Sequence, residues 1–342
     1  MEKIPITIIS GFLGSGKTTL LNHILTESHG RRIAVLVNDF GEINIDAELI
    51  TNISGETISL ANGCVCCTIR GDLVNTVTEL LEAPELPEHI VIEVSGVSDP
   101  NAAAMSFVMS TTLAAQVQLD GIISVVDADQ FDSLSNKYRA HAADQVEASD
   151  VVIFNKTDLA SNSQLEELKT WARETAPAAR TLEAVNCVVP LPMILGTGHS
   201  QIVPDSPPEA HSEHEHENDH SKEFSTSSWV SHNPLGFKAI YTAFKTLSLD
   251  IFRAKGFLYL GEVPDKCVIV QMVGRRVTLS KGPAWDGETP ISRIVVIGAH
   301  DCVDSESLSK RFESCKYRES DGEPDPLSNA VIEILREPIG NA

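Results

Sequence analysis

Two short stretches of this 342-residue chain concentrate groups suited to phosphate and metal chemistry. Gly11-Phe12-Leu13-Gly14-Ser15-Gly16-Lys17-Thr18, followed by Thr19, follows the pattern G-x-x-x-x-G-K-[ST]. Glycines so spaced let successive backbone N–H groups turn inward around phosphate oxygens, and a following helix N-terminus adds favourable partial charge. Lys17 then reaches the β- and γ-phosphates, and the Thr18 hydroxyl ligates Mg²⁺. The alternative is a glycine turn that merely joins strand to helix. The second stretch, Cys64-Val65-Cys66-Cys67, brings three thiols together beside Gly63. Thiolates suit Zn²⁺ and similar borderline-soft ions, with His, Asp or Glu completing the shell. The same cysteines also read as small buried hydrophobes or as a redox pair.

A third motif, Asn155-Lys156-Thr157-Asp158, closes an apolar run. A carboxylate at Asp158 accepts two hydrogen bonds from guanine, through its ring N–H and exocyclic amine. Adenine offers a ring acceptor there and lacks the amine, so the carboxylate is left unmet, which discriminates strongly. GTP is therefore favoured over ATP. Asp39 and Glu42, with Asp46, end a second apolar run, and Glu93-Val94-Ser95-Gly96 ends a third. P-loop proteins place an acid near Mg²⁺ and a glycine near the γ-phosphate at the latter position. The former set is expected to be a switch region joining nucleotide to metal. Its alternative is a solvated acidic turn.

These motifs need a scaffold, and the first half of the chain supplies a pattern for one. Near-continuous Ile/Val runs predict strands over 4–10, 33–38, 90–94, 121–127 and 151–155. Amphipathic stretches predict helices over 18–27, 72–81, 101–115 and 163–174. Strands buried on both faces and alternating with helices imply an α/β fold, a doubly wound parallel sheet of the P-loop NTPase kind. Composition then shifts. Residues 199–223 form an acidic linker carrying His211, His214, His216 and His220. Strands over 256–261, 267–273 and 294–298, and helices over 305–315 and 328–335, predict a smaller α+β domain. The expected boundaries are 1–198, 199–223 and 224–342.

With 48 acidic against 26 basic residues, the formal charge of −22 argues against binding nucleic acid or anionic lipid and tolerates divalent cations. No apolar run approaches a membrane span, and no signal-peptide pattern precedes Gly11. Seven cysteines, three of them crowded, make a poor disulfide framework and suggest a reducing, cytoplasmic setting. Cys187, Cys267, Cys302 and Cys315 are expected to be structural. His23 and His141 read as packing or surface residues.

Taken in order, Gly11–Thr19, Asn38–Glu42, Gly63–Cys67, Glu93–Pro100 and Asn155–Asp158 resemble the CobW-type P-loop GTPases, a metallochaperone family. Arg253–Gly256 and the 295–315 segment resemble that family's C-terminal domain. The resemblance implies a GTPase that binds Zn²⁺, Co²⁺ or Ni²⁺ through Cys64, Cys66 and Cys67 and hands it to a client metalloprotein, and since no arginine finger or catalytic Gln is identifiable, slow intrinsic turnover is expected. It implies Lys17, Thr18 and neighbouring backbone on phosphate and Mg²⁺, Glu93 in the Walker-B role, and Asn155, Lys156 and Asp158 on guanine. Asp39 stands where family members commonly carry Glu. Asn186–Pro190 matches the last guanine-loop motif only loosely. His-rich insertions recur in the family, so His211 to His220 offer an auxiliary metal reservoir, the alternative being a solvated linker. GTP is expected to order the loop of Asp39 and Glu42 and align the thiolates, and hydrolysis to loosen them. Alternative readings are a GTPase activating a cobalt or nickel metalloenzyme or cobalamin synthesis, a non-enzymatic zinc buffer, and a small-substrate kinase. A homodimer is left open.

Overall fold

Ile- and Val-rich runs cannot leave either face in water, and here they build one sheet. A computed structural model of the chain describes residues 3–27, 32–37, 57–59, 70–84, 86–196, 224–287, 289–300, 302–318 and 325–337. Among these, β1 (Ile4–Ser10), β2 (Ile33–Val37), β3 (Thr57–Ser59), β4 (His89–Glu93), β5 (Val117–Asp127), β6 (Val151–Asn155) and β7 (Arg180–Ala184) lie in the order β3-β2-β4-β1-β5-β6-β7. Every neighbouring pair is parallel. Helices Lys17–Thr26, Arg70–Leu81, Pro100–Met109, Thr111–Gln116, Asn136–Glu147 and Asn162–Thr175 occupy the crossovers.

Alternate side chains of β1 point to opposite faces, and Ile6 through Ser10 are all buried, so both faces are covered. On one face Ile6, Ile8, Ile90 and Ile92 pack with Leu73, Val77 and Phe107. Further along, Val126, Val152 and Phe154 pack with Ala142, Val146 and Leu168. Full burial of each such side chain contributes about 1.5–3 kcal/mol. The sheet order turns at β1, with β4 on one side and β5 on the other. Loops beyond the carboxyl ends of these strands therefore frame the crevice in which open α/β sheets bind ligands.

The helix expected over 101–115 is two helices. Ser110 is extended, and its hydroxyl accepts the Leu113 N–H at 3.3 Å, ending one helix and capping the next. β5 begins at Val117 rather than 121, because polar Gln118 and Asp120 interrupt its apolar run. Asp120 is nevertheless buried, accepting from Thr7 Oγ1 at 3.1 Å and from the Gly196 N–H at 3.1 Å. β2 stops at Val37.

The chain divides into two units, Met1–Gly196 and Thr197–Ala342. In the second, β8 (Phe224–Ser231), β9 (Ile251–Leu260), β10 (Val263–Val273), β11 (Arg276–Ala284) and β12 (Ser292–Ala299) form an antiparallel sheet ordered β11-β10-β9-β12-β8. Helices Phe237–Lys245, Ser305–Glu313 and Pro326–Arg336 contribute Phe244, Phe312 and Ile332 to its core with Leu258, Val268 and Val296. β8, β11 and the 237–245 helix add to the elements anticipated from sequence. Among the described residues, no helix is long and apolar enough to cross a membrane.

Candidate nucleotide site

Gly11 to Thr18 run from the end of β1 into the Lys17–Thr26 helix. Gly16 precedes that helix at φ 110°, a left-handed conformation that a side chain would strain. A Cβ there would also strike the Asn155 amide and lie 3.1 Å from the Cys187 sulfur. Glycine is thus required by the parts of the site behind it. Lys17 is buried at 8 % exposure, with its Nζ 3.4 Å from the Phe12 carbonyl, folded over its own loop. Ser15 is fully buried, whereas Gly14 and Thr19 are exposed.

Thr18 and Glu93 come together. The Thr18 hydroxyl lies 3.3 and 3.4 Å from the two Glu93 carboxylate oxygens. Glu93 is the last residue of β4 and is buried at 3 % exposure. A buried carboxylate beside a hydroxyl, at the mouth of a phosphate loop, is an oxygen donor set that fits a hard cation such as Mg²⁺.

The Asn155–Asp158 loop is tied to the Gly11–Thr18 loop by side chains. Asn155, at 2 % exposure, donates from Nδ2 to the Ser15 carbonyl at 2.9 Å and accepts the Cys187 N–H on Oδ1 at 2.8 Å. Lys156, at φ 62°, donates to the Gly14 carbonyl at 2.9 Å and to Asp127 Oδ2 at 2.6 Å. Asp158 is exposed, after a turn held by Thr157 N–H on the Ala184 carbonyl at 3.3 Å. Three residues of the motif thus have distinct stations: two clamp, and one faces outward.

Cys187 belongs to this site, which sequence reasoning missed. Its thiol donates to the Gly16 carbonyl at 3.2 Å, and it follows Asn186 in a left-handed pair at φ 52° and 55°. The loose match at Asn186–Pro190 was the available signal. His23 Nε2 lies 2.8 Å from the Val189 carbonyl, anchoring the same loop to the first helix. Burial pushes the Cys187 thiol up to about 12, against a smaller opposing pull from Lys156. The folded chain holds that proton more tightly than the unfolded one, so this contribution to stability is lost as pH rises from the ordinary thiol value toward 12. Cys267 and Cys315 are buried and shifted the same way, whereas Cys302 is exposed and is not the structural residue expected. Under neutral alkylation of the native protein, peptide mass spectrometry is expected to find Cys302 modified and Cys187, Cys267 and Cys315 protected. Rapid labelling of native Cys187 would contradict the loop geometry.

Asp39, Glu42, Cys64, Cys66, Cys67, His211, His214, His216 and His220 lie outside the described residues. Among the described residues, no three His, Cys, Asp or Glu side chains form a group able to hold a metal ion. The strand leading toward the cysteine run is placed: Ser59 ends β3 in register with Val37 of β2, which is in register with Glu93.

Residues 5–183 match the family model described as CobW/HypB/UreG, nucleotide-binding domain, and residues 224–316 match the cobalamin synthesis protein cobW C-terminal domain. The chain belongs to the CobW/HypB/UreG family. This CobW-family chain is 32 % identical to the zinc chaperone CobW of Sinorhizobium sp., over 87 % of its own length and 94 % of the relative. It is 30 % identical to the zinc chaperone YjiA of Escherichia coli K12, over 87 % and 95 %. It is 36 % identical to the zinc-regulated GTPase metalloprotein activator 1 of Dictyostelium discoideum, over 58 % of this chain and 49 % of that relative.

Proposed function

We propose that this CobW-family protein is a GTP-hydrolysing zinc chaperone that delivers its metal to a client metalloprotein under nucleotide control. The observation that carries the nucleotide half is Asn155, whose one buried amide fastens the phosphate loop at Ser15 to the base loop at Cys187. Such a bridge makes a single nucleotide site from both loops. Lys17 and the backbone of Gly11, Gly14, Ser15, Gly16 and Thr18 hold the phosphates, with Thr19 just beyond. The exposed Asp158 reads guanine. Thr18 and Glu93 would hold Mg²⁺, which neutralises phosphate charge when bound.

The cargo half rests on the thiols of Cys64, Cys66 and Cys67 in the sequence and on zinc in the names of three relatives. Thiolates also accept Co²⁺ and Ni²⁺, and the relatives' names favour Zn²⁺. Asp39 and Glu42 join the two halves, closing over GTP and relaxing after hydrolysis. His211, His214, His216 and His220 act as an auxiliary reservoir. A client that receives zinc is supported by the relatives named chaperone and metalloprotein activator. Its setting is cytoplasmic, where thiols stay reduced.

Asp158→Asn tests the nucleotide assignment. The amide puts a donor where guanine presents N–H groups, so GTP affinity is expected to fall about 10²-fold or more while weak ATP binding changes little. Competition of labelled GTP by GTP and ATP, on wild type and variant, reads this. A wild type that prefers ATP contradicts the assignment.

A further inference from the structure

The helix Asn136–Glu147 touches the Phe12 loop near its start and the Gly96 loop near its end, through Tyr138 and Gln145, neither of which belongs to a motif named above. Near its start, the Tyr138 ring lies against Phe12 of the phosphate loop, with centroids 5.1 Å apart. Near its end, Gln145 is buried at 3 % exposure. Its Nε2 donates to the Gly96 carbonyl at 3.1 Å and to the Ser98 carbonyl at 3.3 Å. Between the two contacts lies a cavity of about 340 Å³, lined by residues including Phe12, Ser15, Ser124 and Gln145.

Gly96 follows Glu93 in the loop between β4 and the Pro100–Met109 helix. That loop lies against the phosphate loop: a Cβ on Gly96 would come within 2.8 Å of the Leu13 nitrogen. It also carries its own turn, Ser98 N–H to the Ser95 carbonyl at 2.9 Å. Both Gln145 partners are carbonyl oxygens, so only the NH₂ end can face them, and its two hydrogens serve one each. An ionised Glu at this place could donate to neither, and a protonated one to a single carbonyl. The Gln145 carbonyl oxygen has no hydrogen-bond partner among the described residues, so no competing bond draws the amide from this loop.

We propose that Gln145 is a positioning residue that holds the Gly96 loop in register with the phosphate loop, so that the site distinguishes GTP from GDP. The inference rests on the nucleotide reading above. Pinning the Gly96 and Ser98 carbonyls on the helix side fixes the orientation of the intervening peptides, and with it the face the loop turns to a γ-phosphate. GDP lacks that phosphate and makes no use of the loop. The loops that hold the base and the β-phosphate, built on Asn155, Lys156 and Lys17, do not depend on Gln145.

Gln145→Glu keeps the shape and leaves at most one donor, and Gln145→Met keeps the length and removes both. Affinities for GDP and for a non-hydrolysable GTP analogue with Mg²⁺, single-turnover GTP hydrolysis and the melting temperature are measured for each. Loss of two buried hydrogen bonds is expected to lower the GTP-analogue-to-GDP affinity ratio about tenfold and to slow hydrolysis at least as much, with GDP affinity held within about twofold. If Gln145→Glu does not fold, Gln145→Met carries the same expectation. A lower melting temperature with both nucleotides weakened equally, or an unchanged ratio, overturns the proposal. A wild type that ignores GTP in favour of ATP instead defeats the nucleotide reading beneath it.

Discussion

Replacing Lys17 with alanine is expected to lower GTP hydrolysis about 10²–10³-fold, the scale seen when one preorganised charge partner of a reacting group is removed. Lys17 is the first residue of its helix, where alanine is the best helix former, so the fold should survive. Its ammonium is buried within the loop and folded toward the Phe12 carbonyl, where the proposed function puts the phosphates. The substitution removes that charge and leaves the backbone cradle, set by the glycines, in place. Single-turnover hydrolysis at saturating GTP measures the loss, and a melting curve verifies folding. The same variant separates two functions. A chaperone driven by GTP should no longer load its client, whereas a zinc buffer should hold its metal unchanged. Wild-type rates in Lys17→Ala would remove the phosphate loop from the reaction.

Cys66→Ala is expected to weaken zinc binding about 10²-fold or more. Zinc sites of four ligands contribute about 10–16 kcal/mol in all, so one thiolate ligand carries several kcal/mol. Cys66 lies in sequence between Cys64 and Cys67, and alanine removes one thiol without changing the chain's length. Competition against a chromophoric chelator reads the affinity directly, with GTP affinity as a control that should persist in the absence of metal. A Cys66→Ala protein that keeps wild-type zinc affinity would take the cysteine run out of the metal site and leave the histidines of residues 211–220 as the donors to examine.

The motifs were legible because phosphate chemistry is met by a contiguous loop, and buried parallel strands by contiguous apolar runs. What escaped has a common cause. β7, β8 and β11 are edge strands, and an edge buries less, so its sequence mixes polar with apolar residues. In β8, Ser227 and Trp229 are buried while Ser228 and Val230 are exposed, an alternation with few aliphatic residues to mark it. Cys187 and Gln145 escaped for a different reason. Each acts through bonds to residues distant in sequence, Cys187 to Asn155 and Gly16, Gln145 to Gly96 and Ser98. Only folding brings these partners together. The exposed Cys302 shows the converse, since a lone cysteine carries no mark of its burial.

The joining of metal to nucleotide is tested most directly by titrating Zn²⁺ into the wild-type protein with Mg²⁺ and either a non-hydrolysable GTP analogue or GDP. Zinc should bind about 5–150-fold more tightly with the GTP analogue, the usual range of coupling between two sites, and must then tighten the analogue by the same factor. Equal zinc affinity in the two nucleotide states would contradict nucleotide-controlled metal delivery.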